Sequence, residues 1–261
     1  MTVDLHNHTK LCNHATGEMR EYIEAAIAKG IKHFGFSDHA PMSFDPAYRM
    51  SFSDMSRYES DVLELKDHYR DQIEVLLAYE VDYLVGHMDP RVLSADVDYL
   101  IGSVHFLDGW GFDNPEFMGK YDSLDLDELW EHYFATITAM VKSAHFDIVG
   151  HIDLLKLFKF LPKKHSLADL AYDSLVAIKD SDMTLEVNMS GLRKPIGEIY
   201  PSKQILELAY SLGVDITFGS DAHDPAQVGL YAKEVLDLAT SVGYKRCALY
   251  KSRKKELIPI S

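Results

Sequence analysis

Ten residues of metal-ligand type stand at the ends of short apolar runs scattered over the whole chain. They are His6, His8, His14, Asp38, His39, Glu80, His105, His151, Asp221 and His223. Imidazole and carboxylate side chains are ligands for divalent metal ions, and ions grouped by such ligands perform hydrolysis. In His6-Asn7-His8 the two histidines are spaced i and i+2, so on a strand both side chains point the same way and grip one ion. His14 follows in the next turn. Asp38, in Ser37-Asp38-His39, is either a ligand or an outer carboxylate that fixes a histidine tautomer, and the outer role is the reading taken. Glu80 directly follows the buried run 75–79, where an unpaired carboxylate is costly. It therefore either makes a salt bridge or bridges two ions about 3.5–4 Å apart, as in two-metal hydrolases. His105 follows Ile101-Gly102-Ser103-Val104, His151 follows Ile148-Val149-Gly150, and Ser220-Asp221-Ala222-His223 repeats the acid-plus-histidine theme. Cys12 lies between His8 and His14 and is a possible thiolate ligand, but the histidine set suffices without it.

The elements that must position these residues alternate. Runs with strand character cover 3–5, 33–36, 74–79, 99–104, 147–149, 184–187 and 215–218. Helical periodicity fills the gaps at 17–29, 53–70, 125–144, 166–180 and 202–212. Gly30 caps the first helix, Ser166 opens a capping-box variant, and Asp224-Pro225 reads as an N-cap with proline at the first helical position. Strand–helix alternation means a parallel sheet covered by helices. An open sheet gathers its site at one switch point, whereas ligands at nearly every strand end converge only if the strands form a ring. The expectation is a single-domain barrel over residues 1–261. The irregular stretch 108–123 follows His105 and is a candidate lid. His33, His68, His87, His132, His145 and His165 lack strand-end context and are set aside; His33 sits at the opposite end of its strand, and His68, His132 and His145 fall in predicted helices.

Composition narrows the function classes. A net charge of −15 opposes a general nucleic-acid binder but not a small anionic substrate, because bound cations make a site locally positive. The basic cluster 251–255 reads as a solvated edge. No run approaches the roughly 18 apolar residues of a membrane span, and the N-terminus lacks a signal-peptide pattern. The expected location is the cytoplasm. Two cysteines make no disulfide framework. There is no Gly-x-Ser-x-Gly elbow and no phosphate-binding glycine motif.

The same residues resemble the PHP family, the polymerase and histidinol phosphatase superfamily. Its four motifs match His6/His8, Asp38/His39, His151 and Asp221/His223, and the likeness spans essentially the whole chain. Several stretches are similar to its stand-alone histidinol-phosphatases, chiefly Glu186-Val187-Asn188-Met189-Ser190-Gly191-Leu192-Arg193-Lys194 and Ile199-Tyr200-Pro201-Ser202. The resemblance implies a distorted (β/α)7 TIM-like barrel with three divalent ions (Zn, Mn or Fe). His6, His8, Glu80 and Asp221 would hold one ion. Glu80 would bridge to a second, held with His105 and His151, and His14, His39 and His223 would hold the third. It implies hydrolysis of L-histidinol phosphate by in-line attack of a metal-bound hydroxide. Glu80, Asp221, Arg193 and Asp38 would serve the chemistry. Arg193 is the candidate phosphate clamp, since a guanidinium matches phosphate bidentately, with a salt bridge to Glu198 as its alternative. Lys156 is a weaker candidate for the same task. The amine and imidazole of histidinol would need acids or amides near the mouth, from 108–123 or around Arg49. The competing readings are a phosphoesterase acting on nucleotides or oligonucleotides, and a non-catalytic metal-stabilised module. Neither a nucleic-acid nor a membrane partner is expected.

Overall fold

Strands buried on both faces form the frame, as parallel strands flanked by helices must. The computed structural model describes residues 1–260. Seven strands run in the order β1 (Val3–Asp4), β2 (His33–His39), β3 (Glu74–Asp82), β4 (Tyr99–Ser103), β7 (Ile148–Val149), β8 (Thr184–Asn188) and β9 (Asp215–Gly219). All six ladders between neighbours are parallel. The ring closes beyond the ladders: Leu5 N donates to Phe218 O (2.8 Å), Asp221 N to His6 O (2.7 Å) and His8 N to Ala222 O (2.9 Å). The fold is the expected distorted (β/α)7 barrel.

The helices α1 (Met19–Ala28), α2 (Met55–Tyr69), α3 (Pro90–Leu93), α4 (Leu126–Lys142), α5 (Leu167–Asp180), α6 (Lys203–Ser211) and α7 (Ala232–Val242) connect or follow the strands. The longer ones each bury an apolar stripe; Leu129, Tyr133, Phe134, Ile137 and Val141 of α4 illustrate the spacing. Gly30 ends α1 with φ +77°, a value that favours glycine. Ser166 accepts from Asp169 N to start α5. Inside the barrel Tyr99 donates to Leu5 O at 2.6 Å, and Gly35 leaves room for that ring, since a Cβ there would lie 1.7 Å from the hydroxyl.

Register brings the chemistry to one rim. His39 pairs with Glu80 across β2 and β3, and Asp82 with Ser103 across β3 and β4. His33 lies at the other end, 2.7 Å from Glu74.

Four sequence expectations change. Asp224 does cap a turn through Ala226 N, but Pro225–Gln227 is only a 3-10 turn and α7 starts at Ala232. His145 lies beyond the end of α4 rather than within it. The stretch 108–123 is ordered: β5 (Phe106–Leu107) and β6 (Trp110–Gly111) form a hairpin, and 3-10 turns span Pro115–Ser123. Buried Trp110, Phe112 and Tyr121 anchor it.

The cluster 251–255 is not a loose edge either. It is the turn of a hairpin, β10 (Arg246–Lys251) and β11 (Lys254–Pro259), docked on the floor of the barrel. Lys251 meets Glu74 (2.7 Å), Lys255 meets Asp215 (3.0 Å), and Arg253 pairs with Asp147. Each of those acids stands at or just before the start of a barrel strand. The hairpin therefore seals the end opposite the metal-type residues.

Candidate metal centre

Glu80 is the hub. The carboxylate is buried, and its two oxygens face different groups. Oε1 lies 2.9 Å from His151 Nε2 and 3.7 Å from His105 Nε2. Oε2 lies 3.0 Å from His39 Nδ1, 3.4 Å from His6 Nε2 and 3.7 Å from His8 Nε2. Asp221 Oδ1 adds a further acid 3.1 Å from His8 Nε2. Two ligand sets with metal-holding geometry result, His6–His8–Glu80 and Glu80–His105–His151. His6 and His8 point inward together because Asn7 turns the other way, donating to Asp4 Oδ1 and Gly35 O.

The third set is less tidy than His14, His39 and His223 alone. His223 groups with His8 and His39 on one side, and with Cys12 and His14 on the other. The His14 and His223 rings are 4.6 Å apart, while those of His39 and His223 are 6.0 Å apart. Cys12 is buried, and burial pushes its thiol well above the usual range.

Outer partners orient most of these rings. His6 Nδ1 faces Glu186 at 2.7 Å, His105 Nδ1 faces Asp82 at 2.6 Å, and His14 Nδ1 faces Cys12 O at 2.8 Å. His223 Nδ1 lies 3.2 Å from Asp221 O, and His8 Nδ1 lies 3.4 Å from Asp38. Each contact leaves Nε2 for the interior, the arrangement that fixes tautomers around metals. Asp38 faces His8 and also accepts from Thr9 and from His39 N, the contacts an outer carboxylate makes, yet it also groups with His8 and Cys12 at metal-holding distance. Glu186 and Asp82 escaped the sequence reading, although their signal was available. Asp82 lies two residues beyond Glu80 on the same strand face, and Glu186 is a buried acid within β8, a strand without an inferred ligand. Gly219 makes room for Glu186, because a Cβ there would lie 2.1 Å from its Oε1 and 2.6 Å from His6 Cβ.

The charges are interlocked. Burial would raise the Glu80 carboxyl, but His6, His39, His105 and His151 outweigh it and hold it well below the usual range. Asp221 is held low in the same way, by His6, His8 and His223 against its burial. Burial would lower His105, yet Asp82 and Glu80 raise it to about 10. Burial dominates at His39 and takes it to about 4.

The donor set fits divalent cations. Buried His6 Nε2, His8 Nε2 and His223 Nε2 have no well-formed hydrogen bond, and such orphans inside a ring of acids are what cations satisfy. A proton on His105 competes with metal, because coordination takes the neutral ring. His105 is raised from 6.5 to about 10, so its contribution to the metal-free protein is complete below 6.5 and is lost as pH rises through 10. The expected outcome is that the rise in Tm on adding zinc grows from about pH 6.5 to 8.5, each bound ion displacing protons. A gain independent of pH would contradict this. Glu186→Gln keeps an acceptor but removes the charge opposite His6. It should weaken metal affinity about 10–100-fold in a chelator competition, and an unchanged affinity would remove Glu186 from the centre.

A cavity of about 560 Å³ opens above Glu80, and Arg193, Arg49, Asp113 and Tyr48 are among its walls. Arg193 Nη2 donates to Ser220 O and Asp221 O, both at 2.8 Å, which ties down Asp221 in its left-handed conformation (φ +51°). Its Nη1 is buried without a partner, and it makes no salt bridge to Glu198 among the described residues. Lys156, in contrast, does not belong to the cavity. It is fully buried, 3.0 Å from Asp153 Oδ2 and 2.8 Å from Ile199 O, and serves as a structural tie. Arg49 props Asp82 at 2.6 Å and so supports His105 at one remove.

Comparison with known proteins places the chain in a family. The PHP domain profile matches residues 4–190. A probable histidinol-phosphatase from Deinococcus radiodurans is 36% identical over 97% of this chain and 98% of its own. The histidinol-phosphatase of Bacillus subtilis is 33% identical over 88% of this chain and 96% of its own. A crystal structure of histidinol phosphate phosphatase from Lactococcus lactis, complexed with zinc, L-histidinol and phosphate, superposes with a TM-score of 0.81 at 20% identity, covering 98% of each chain. That last likeness speaks to the fold. The barrel, the matched motif span and the near-full-length relatives coincide, and the chain belongs to the PHP domain family.

Proposed function

We propose that this chain hydrolyses L-histidinol phosphate to L-histidinol and phosphate, as a cytoplasmic enzyme of histidine biosynthesis acting as one catalytic domain over residues 1–261. The observation that carries the hydrolase reading is Glu80, whose two oxygens serve two separate imidazole groups. The substrate rests on the near-full-length relatives named as histidinol-phosphatases.

His6, His8, Glu80 and Asp221 would hold one divalent ion, Glu80, His105 and His151 a second, and His14, His39 and His223 a third. Such ions supply positive charge for phosphoryl oxygens and lower the pKa of a water to about 7, which suits in-line attack on the ester. The protein supplies the rest. Arg193 Nη1 donates to the phosphate while Nη2 holds the Asp221 turn. Glu186, Asp82 and Asp38 keep the rings in the tautomer that presents Nε2. The 108–123 segment overhangs the cavity and limits its access to water.

The test is hydrolysis by purified protein with zinc, manganese or iron, comparing L-histidinol phosphate with other phosphomonoesters, nucleotides and oligonucleotides. Preference for histidinol phosphate, abolished by chelation and restored by metal, is the expected result. Equal turnover across the panel would refute the substrate. Preferential release from oligonucleotides would favour the second reading.

A further inference from the structure

We propose that Asp113 is the specificity-determining residue that receives the primary ammonium of the substrate. This inference rests on the proposed function and adds the group that selects an amino-bearing phosphomonoester over a plain one.

The cavity walls sort by what already neutralises them. Asp82 is shared between His105 and Arg49. Asp45 lies 3.6 Å from the Arg49 guanidinium. Arg193 is turned toward two backbone oxygens and keeps one free donor. Asp113 also lines the cavity, is half-buried, and has no cation within ion-pair distance among the described residues. A carboxylate withdrawn from water without a partner is costly, and a ligand cation removes that cost.

Its position suits one part of the substrate. Asp113 follows β6 on a segment pinned by Phe112 N to His105 O (3.2 Å) and by Tyr121 Oη to Phe112 O (3.1 Å). It is therefore held beside the His105–His151 side of Glu80, and the charges of both rings act on it. Arg193 stands on the other side, against Asp221. A phosphate taken by Arg193 and the metal centre places the adjoining carbon chain over the Glu80 hub. In histidinol phosphate the ammonium is on the carbon next to the one bearing the ester oxygen, so it must lie just outside the metal centre. Burial, with Asp82 adding to it, raises the Asp113 carboxyl against the pull of His105 and His151, and a bound ammonium would favour the ionised form.

The experiment compares L-histidinol phosphate with its des-amino analogue, 3-(imidazol-4-yl)propyl phosphate, on wild type, Asp113→Asn and Asp113→Glu. Metal content is measured on each preparation. Wild type should prefer the amino substrate. Asp113→Asn should reduce that preference on the order of 10- to 100-fold, with kcat on the des-amino analogue and metal content close to wild type. Asp113→Glu retains the charge and should keep part of the preference, which gives a second reading if the Asn variant folds poorly. A preference unchanged in Asp113→Asn, or an equal loss on both substrates, overturns the inference and leaves the proposed function standing. A wild type that ignores histidinol phosphate overturns the proposed function and the inference with it.

Discussion

Glu80→Gln should lower kcat on the order of 10²- to 10³-fold or more and reduce the bound metal by more than one equivalent. The substitution is nearly isosteric, so packing inside the barrel survives. What changes is charge: each of the two carboxylate oxygens faces its own imidazoles, and an amide offers one acceptor and one donor in their place. The donor end would point at nitrogens meant to bind a cation. In the metal-free protein the effect on stability has a definite sign. The Glu80 carboxyl is depressed in the folded state, so its contribution is present above about pH 4.5 and lost as pH falls further. Elemental analysis and circular dichroism together separate loss of metal from loss of fold. A variant with full metal content and undiminished turnover would remove Glu80 from the hub.

Arg193→Ala should lower kcat/KM for histidinol phosphate about 10²- to 10³-fold, with Arg193→Lys in between. Two tasks meet in this guanidinium. Nη2 braces Ser220 O and Asp221 O, and Nη1 is a buried donor without a protein partner. Lysine restores the charge but not the planar fork that serves both tasks at once. Metal content should therefore fall only modestly in the lysine variant while KM for the phosphate ester rises. If Arg193→Ala retains full kcat/KM, the phosphate is held elsewhere.

The candidate ligands that the fold brings together were legible because nearly all follow a run that the fold must bury, so a polar residue just past it stands at a strand end; His14, in the turn after His8, is the exception. The barrel was legible from the same fact, since ligands at so many strand ends need a ring to meet. Glu186 and Asp82 were harder to see. An acid inside a buried strand signals that it needs a partner but not which one, and that partner can lie far along the chain, 180 residues away for Glu186 and His6. Lys156 misled for a related reason. A cation near the candidate ligands reads as a phosphate clamp, but the 3-10 turn Leu154–Phe158 directs it back onto Asp153 and Ile199. The floor hairpin was invisible because the acids opposite Lys251, Arg253 and Lys255 belong to four separate parts of the chain, at Glu74, Asp147, Asp182 and Asp215. A charge run read alone looks solvated.

In the proposed centre one carboxylate, Glu80, would bridge separate metal sites. An anomalous-difference map of the metal-loaded crystal, collected at the edges of zinc, manganese and iron, tests it most directly. Two peaks about 3.5–4 Å apart are expected, one against each oxygen of Glu80, and a third beside His223. A single peak, or peaks that touch only one Glu80 oxygen, would contradict it.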